Sequence, residues 1–161
     1  MIFVTVGAQL AFDRLVKTVD AWAAEHPDVE CFAQVSESTF KLNHLSFIAN
    51  LSPGEYQSYC RKADLIVAHA GMGSIITALE YGKPILIMPR RGDLKETRND
   101  HQVATAKAFS GKPGIHVAMG ESELLAKLDE LLLSGNKHDA APSHQVSPQL
   151  IQVLRDFVNQ A

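Results

Sequence analysis

Short, unbroken apolar runs alternate along this chain with longer segments whose apolar residues recur every three or four positions. Residues 2–6 are β-branched and aromatic and end at Gly7, the signature of a buried strand. Phe12, Leu15, Val16, Val19 and Trp22 then share one side of a helix over about 11–25, which His26 and Pro27 stop. Two short strands follow at 31–35 and 45–48. Ser52-Pro53-Gly54-Glu55 is a capping box with proline at the first helical position, opening a helix to about 62. A strand at 65–69 runs into Ala70-Gly71-Met72-Gly73-Ser74 and a helix to Tyr81, with Gly82 at its end. Residues 84–88 form a strand and 89–96 a charged loop. A helix is expected over about 98–109, a last strand at 115–118, and a leucine-striped helix at 122–133 closed by Gly135. Residues 136–146 are polar and aperiodic and read as a tether. Residues 147–161 read as an amphipathic helix with Leu150, Ile151, Leu154, Phe157 and Val158 on one side.

Apolar strands alternating with helices predict an α/β fold: one Rossmann-like domain over 1–135, built on a doubly wound, mostly parallel, six-stranded sheet covered on both faces. In the strand order 3-2-1-4-5-6 the crevice opens where strands one and four lie side by side. The first ends at Gly7 and the fourth at His69-Ala70-Gly71, so the glycine-bearing loops fall at the expected ligand position.

Composition narrows the function. A net charge of −3 and a pI near 6.1 argue against a nucleic-acid partner. The two cysteines, Cys31 and Cys60, lack metal or redox spacing and read as reduced core thiols of a cytoplasmic protein. No basic leader precedes the first strand and no apolar run is long enough to span a bilayer, so membrane association is expected through a surface or a partner.

Gly71 and Gly73 remove side chains where strand becomes helix, which lets backbone N–H groups approach an anion at the positive helix end. Ser74 can add a hydroxyl and His69 an imidazole N–H. On these residues alone, a phosphate site stands level with a plain tight turn beside a structural histidine. Dinucleotide, P-loop and nucleophile-elbow motifs are absent, and no Asp-x-Asp pair marks a metal clamp, so no cofactor or metal is expected. His26, His44, His116, His138 and His144 read as surface or loop residues, whereas His101 sits in Asn99-Asp100-His101-Gln102, just after the fifth strand.

The stretch from Ala63 to Ser74, then Glu80-Tyr81-Gly82-Lys83-Pro84 and Asn99-Asp100-His101-Gln102, resembles the C-terminal domain of glycosyltransferase family 28. It is most similar to the small donor-binding subunits of split enzymes in dolichol-linked glycan and bacterial capsule or exopolysaccharide synthesis. The likeness covers about residues 1–130. It implies the donor half of a GT-B fold and inverting transfer of a sugar from a UDP-sugar to a lipid-linked saccharide. It also implies a membrane-anchored partner carrying the acceptor site, which would recruit the chain to the inner face of the membrane; the C-terminal helix either docks that partner, as the resemblance implies, or folds back onto its own sheet. By this resemblance His69 is the catalytic histidine, and Gly7, Ala8, Gly71, Met72, Gly73 and Ser74 hold the diphosphate. Gln102 and His101 reach the donor sugar. One departure from the family is that its ribose-binding glutamate falls at Thr77; either Thr77 itself or Glu80, one turn on, then meets the ribose. Arg90 is assigned to the donor sugar or ribose, and Arg90 or Arg91 would help hold the leaving diphosphate if the charged loop closed inward. Position in the fold alone, after the third strand, brings backbone groups of Asn50-Leu51-Ser52 to the uracil edge. A general base is not evident: Glu80 and Asp13 are in range, or the partner supplies it. The alternative is a non-catalytic subunit that binds a nucleotide sugar and activates a partner transferase.

Overall fold

The computed structural model describes residues 1–134. Six strands form one parallel sheet in the order β3-β2-β1-β4-β5-β6: β1 (Ile2–Thr5), β2 (Cys31–Gln34), β3 (Ser46–Ile48), β4 (Leu65–His69), β5 (Ile85–Met88) and β6 (Ile115–Val117). Five helices connect them: α1 (Asp13–Glu25), α2 (Pro53–Lys62), α3 (Met72–Glu80), α4 (His101–Phe109) and α5 (Glu121–Leu133). The Rossmann-like α/β architecture and strand order expected from the sequence are both present. The tether, the C-terminal helix and the Gly135 cap fall outside the described residues. Among those described, no helix is long and apolar enough to cross a membrane.

Alternation along each strand splits the core between two faces. Ile2, Val4, Leu65, Val67, Leu86 and Met88 pack with Leu15, Val19, Trp22, Leu124 and Leu128 of α1 and α5. Phe3, Ile66, Ala68, Ile85 and Ile87 pack with Cys60, Ile75, Ala78, Ala106 and Phe109 of α2, α3 and α4. Cys31 and Cys60 are buried and free, and burial pushes both thiols up, Cys31 to about 11. The capping box forms as predicted: Glu55 N–H donates to Ser52 Oγ and Ser52 N–H to Glu55 Oε2.

Three expectations are corrected. The strand at 45–48 is an exposed edge rather than a covered one, since all three residues of β3 face solvent. α1 starts at Asp13 rather than about 11, because the Arg90 guanidinium takes the carbonyls of Leu10 and Ala11. α4 starts at His101 rather than about 98. Gly92 N–H donates to Asp100 Oδ1, Arg91 pairs with Asp93, and Arg14 forks onto Glu96, so 91–100 is held in turns.

Candidate functional site

β1 and β4 are hydrogen-bonded neighbours, and their carboxyl ends open a cavity of about 420 Å3. Gly7 and Ala8 wall it from the β1–α1 loop, and His69, Gly73, Ser74 and Thr77 from β4 and α3. Gln34, Asn50, Leu51, Pro53 and Tyr56 close the far side. Gly7 has φ +81, a left-handed conformation that glycine adopts without steric cost and that lets the chain turn sharply out of β1. α3 begins at the opposite wall with Gly71 as its N-cap, and no side chain caps it. Its first N–H groups therefore lack the usual side-chain partner at the positive end of the helix, and Gly73 and Ser74 belong to the cavity wall.

His69 is gripped by two glycines. A Cβ on Gly71 would lie 2.1 Å from its Nε2, and one on Gly7 2.8 Å from its Cε1. Gly71 therefore exists first for the imidazole, whereas Gly73 has nothing within 4 Å and leaves the helix end open. Burial, with the Arg90 charge added, pushes the His69 ring down to about 4; the Thr5 backbone offsets this only in part. The ring is thus neutral near pH 7 and carries one N–H. Its Nδ1 is buried and meets no partner at full hydrogen-bond distance and angle, although the Thr5 backbone lies near enough to the ring to favour its charged form.

A polar brace beneath the cavity was not anticipated. Thr5 Oγ1 donates to Gln34 Oε1 at 2.8 Å and accepts from Gly7 N–H at 3.3 Å. Gln34 Nε2 donates to Gly7 O at 3.1 Å and Ala49 O at 3.0 Å, tying the ends of β1, β2 and β3 together. The signal was legible in principle: Thr5 and Gln34 are the polar residues that end two apolar strands. On the other wall Tyr56 donates its hydroxyl to Ser74 Oγ at 3.4 Å, and burial pushes the phenol up to about 12.

Arg90 is 3% exposed and serves the scaffold. Its guanidinium donates to the carbonyls of Val6 (2.7 Å), Leu10 (2.6 Å) and Ala11, and lies 4.7 Å from the centre of the Phe12 ring. Its backbone N–H donates to Gln102 Oε1 at 3.1 Å, so the Gln102 amide is oriented with its oxygen engaged.

The sequence pattern of the glycosyltransferase family 28 C-terminal domain matches residues 1–157. The chain belongs to this family. A stretch of 47 residues is 40% identical to the UDP-N-acetylglucosamine transferase subunit ALG13 of Homo sapiens, covering 29% of this chain and 4% of that protein. The NMR solution structure of ALG13 superposes with a TM-score of 0.64 at 20% identity, over 98% of this chain and 96% of that one. The glycotransferase of kitacinnamycin superposes at 0.61 with 19% identity, over 98% of this chain and 38% of its own. A putative UDP-N-acetylglucosamine 2-epimerase from Listeria monocytogenes gives 0.60 at 11% identity, over 99% and 46%. The chain thus spans a small fraction of the human relative and less than half of the last two. At these identities the structural likenesses establish the fold, the Rossmann-like half shared with GT-B glycosyltransferases.

Within this family frame the cavity gathers Gly7, Ala8, His69, Gly73, Ser74 and Thr77, together with Asn50 and Leu51. Other expected residues fall elsewhere. Met72 packs against the core, and Gly71 supports His69 rather than lining the cavity. Glu80 is exposed at the last position of α3, outside the cavity wall that Thr77 joins. Arg90 is buried and engaged with backbone carbonyls, so it is not free to close on the cavity, and Arg91 is exposed and pairs with Asp93 outside the cavity wall. His101 is exposed at the start of α4 and Gln102 is half-buried behind Arg90; neither lines the cavity. Asp13 accepts from Ser38 Oγ at 2.5 Å. Among the described residues no group of three or more His, Cys, Asp or Glu is placed to hold a metal ion.

Proposed function

We propose that this chain is the donor-binding, catalytic subunit of a two-component inverting glycosyltransferase, moving a sugar from a UDP-sugar to a lipid-linked saccharide. The observation that carries the reading is one cavity bounded both by the uncapped amino end of α3 and by His69 with its unsatisfied Nδ1. As the bond to the anomeric carbon breaks, negative charge grows on the departing diphosphate. Helix N–H groups, the Ser74 hydroxyl and a neutral imidazole N–H oppose that charge without having to reorganise, the kind of stabilisation that dominates many enzymatic rate gains. The cavity extends from this anion end to Asn50, Leu51 and Pro53, where backbone and side-chain amide groups offer hydrogen bonds to a base. Thr77, the α3 side chain on the cavity wall, is assigned to the ribose, and Gln102, outside that wall with its oxygen engaged by the Arg90 N–H, is assigned to the donor sugar by the family resemblance alone.

The acceptor belongs to a membrane-anchored partner, as the two-component character of ALG13-like subunits suggests, with residues 147–161 as the recruiting segment. That partner also supplies the proton acceptor for the incoming hydroxyl, since Asp13 is tied to Ser38 and Glu80 lies off the cavity. Transfer from radiolabelled UDP-sugars to lipid-linked saccharide, by the chain co-purified with the product of its neighbouring gene, tests the reading. His69→Ala should lower turnover by about 10²–10³-fold, as removal of one oxyanion donor does, with co-purification unchanged. Full turnover by a folded His69→Ala complex would leave a binding subunit and no catalyst.

A further inference from the structure

The β1–α1 loop has two sides. Gly7 and Ala8 wall the donor cavity, while Leu10 and Ala11 wall a second cavity of about 550 Å3, completed by Glu37 and the β5–α4 segment. Both boundaries of this second space are held firmly. Arg90 fastens the loop through the carbonyls of Val6, Leu10 and Ala11. Arg14 fastens the β5–α4 segment by a two-pronged bond to Glu96 at 2.7 and 2.8 Å and a further bond to Pro89 O at 3.0 Å.

Two cations line this space without an acceptor. Among the described residues, the side chains of Lys95 and Arg98 make no hydrogen bond or ion pair. The neighbouring carboxylates are already engaged: Glu96 by Arg14 and the Arg91 N–H, Asp93 by Arg91, and Asp100 by the Gly92 N–H. Glu37 is the remaining acid in the wall, so the unpaired charge there is positive by one. Lys95 is moreover held at φ +57, a left-handed conformation uncommon for a lysine. Beside these cations Leu10 and Leu94 are 51% and 47% exposed. Free cations next to exposed leucines on a fixed frame suit an amphiphilic anion.

We infer that this second cavity receives the phosphate or diphosphate ester of the lipid-linked acceptor, with Lys95 and Arg98 on the phosphate and Leu10 in the wall against the first lipid carbons. The inference rests on the proposed transferase reading and adds to it that the donor subunit itself holds part of the acceptor. The shared β1–α1 partition then sets the two substrates side by side.

Water-soluble geranyl diphosphate is the probe, titrated into the full-length chain saturated with UDP and followed by backbone amide shifts. Shifts should concentrate at Leu10, Gly92 and Thr97, weaken as salt is raised, and need at least about tenfold more ligand in the Lys95→Ala/Arg98→Ala variant. UDP affinity should be unchanged in that variant. Equal geranyl diphosphate binding by wild type and variant, displacement of UDP by the probe, or binding to phosphatidylglycerol vesicles with none to the probe would each overturn the assignment. Failure of UDP to bind would count against the donor site alone. The probe would then be titrated into the free chain, where loss of its shifts in the double variant still supports the second cavity and their persistence still refutes it.

Discussion

A methyl group placed on Gly71 would sit 2.1 Å from His69 Nε2, and the Gly71 backbone, at φ −90 and ψ 137, accepts any L residue. The whole cost of Gly71→Ala therefore comes from the imidazole ring. The Gly7 backbone lies close to the same ring, so the side chain must leave its rotamer or the strand end must shift. Overpacking of this kind costs about 1–3 kcal/mol, which lowers the melting temperature by roughly 2–12 °C in a domain of this size. Gly73→Ala, with nothing within 4 Å of its new methyl, should instead be neutral or stabilising by up to about 1 kcal/mol. Removing the ring should relieve the clash. In a double-mutant cycle, His69→Ala and Gly71→Ala should then couple by about 1–3 kcal/mol, the double variant being less damaged than the two singles summed. Thermal unfolding of the four proteins followed by circular dichroism measures the coupling. Additive losses within about 0.5 kcal/mol would refute the claim that Gly71 exists for His69.

The remaining predictions concern the same frame. The His69 ring, at about 4 in the folded chain against 6.5 when free, takes up its proton first in the unfolded state, so stability present above pH 6.5 is lost as pH falls towards 4. The loss is about 3 kcal/mol and should vanish from the difference curve in His69→Gln, measured by denaturant titration across that range; parallel curves would deny the burial of the ring. Arg90→Ala leaves three backbone carbonyls unpaired around a nearly fully buried site and should cost roughly 3 kcal/mol or more. A shift of the urea midpoint worth less than about 1 kcal/mol would show that the β1–α1 loop does not depend on it.

Much of the fold could be read from the chain because parallel strands buried on both faces are written as unbroken apolar runs, and each here is bounded by a turn signal. The exposed β3 edge escaped for the same reason: Phe47 and Ile48 look buried, and an edge position depends on which strands pair, not on local composition. At the site, His69 and Ser74 were legible as near neighbours after one strand, and Gly7 as the end of another that the expected strand order sets beside it. The parts that were not legible arise from distant pairings: Thr5 with Gln34, Arg14 with Glu96, and Arg90 with the carbonyls of the first loop. Arginine type alone suggested phosphate for Arg90, yet burial and three carbonyl acceptors make it a strut. Thr77 and Glu80 separate in position by helical rise: a turn carries a side chain about 5 Å along the axis, enough to take Glu80 off the cavity wall that Thr77 joins.

Calorimetric titration of the chain with UDP, ADP and GDP tests the central claim most directly, because it asks whether the cavity between β1 and β4 recognises a uridine diphosphate. UDP should bind, raise the melting temperature at saturation, and lose at least about tenfold in affinity in His69→Ala, while ADP and GDP bind far more weakly. Equal affinity for the three nucleotides, or UDP binding that is indifferent to His69, would contradict the account.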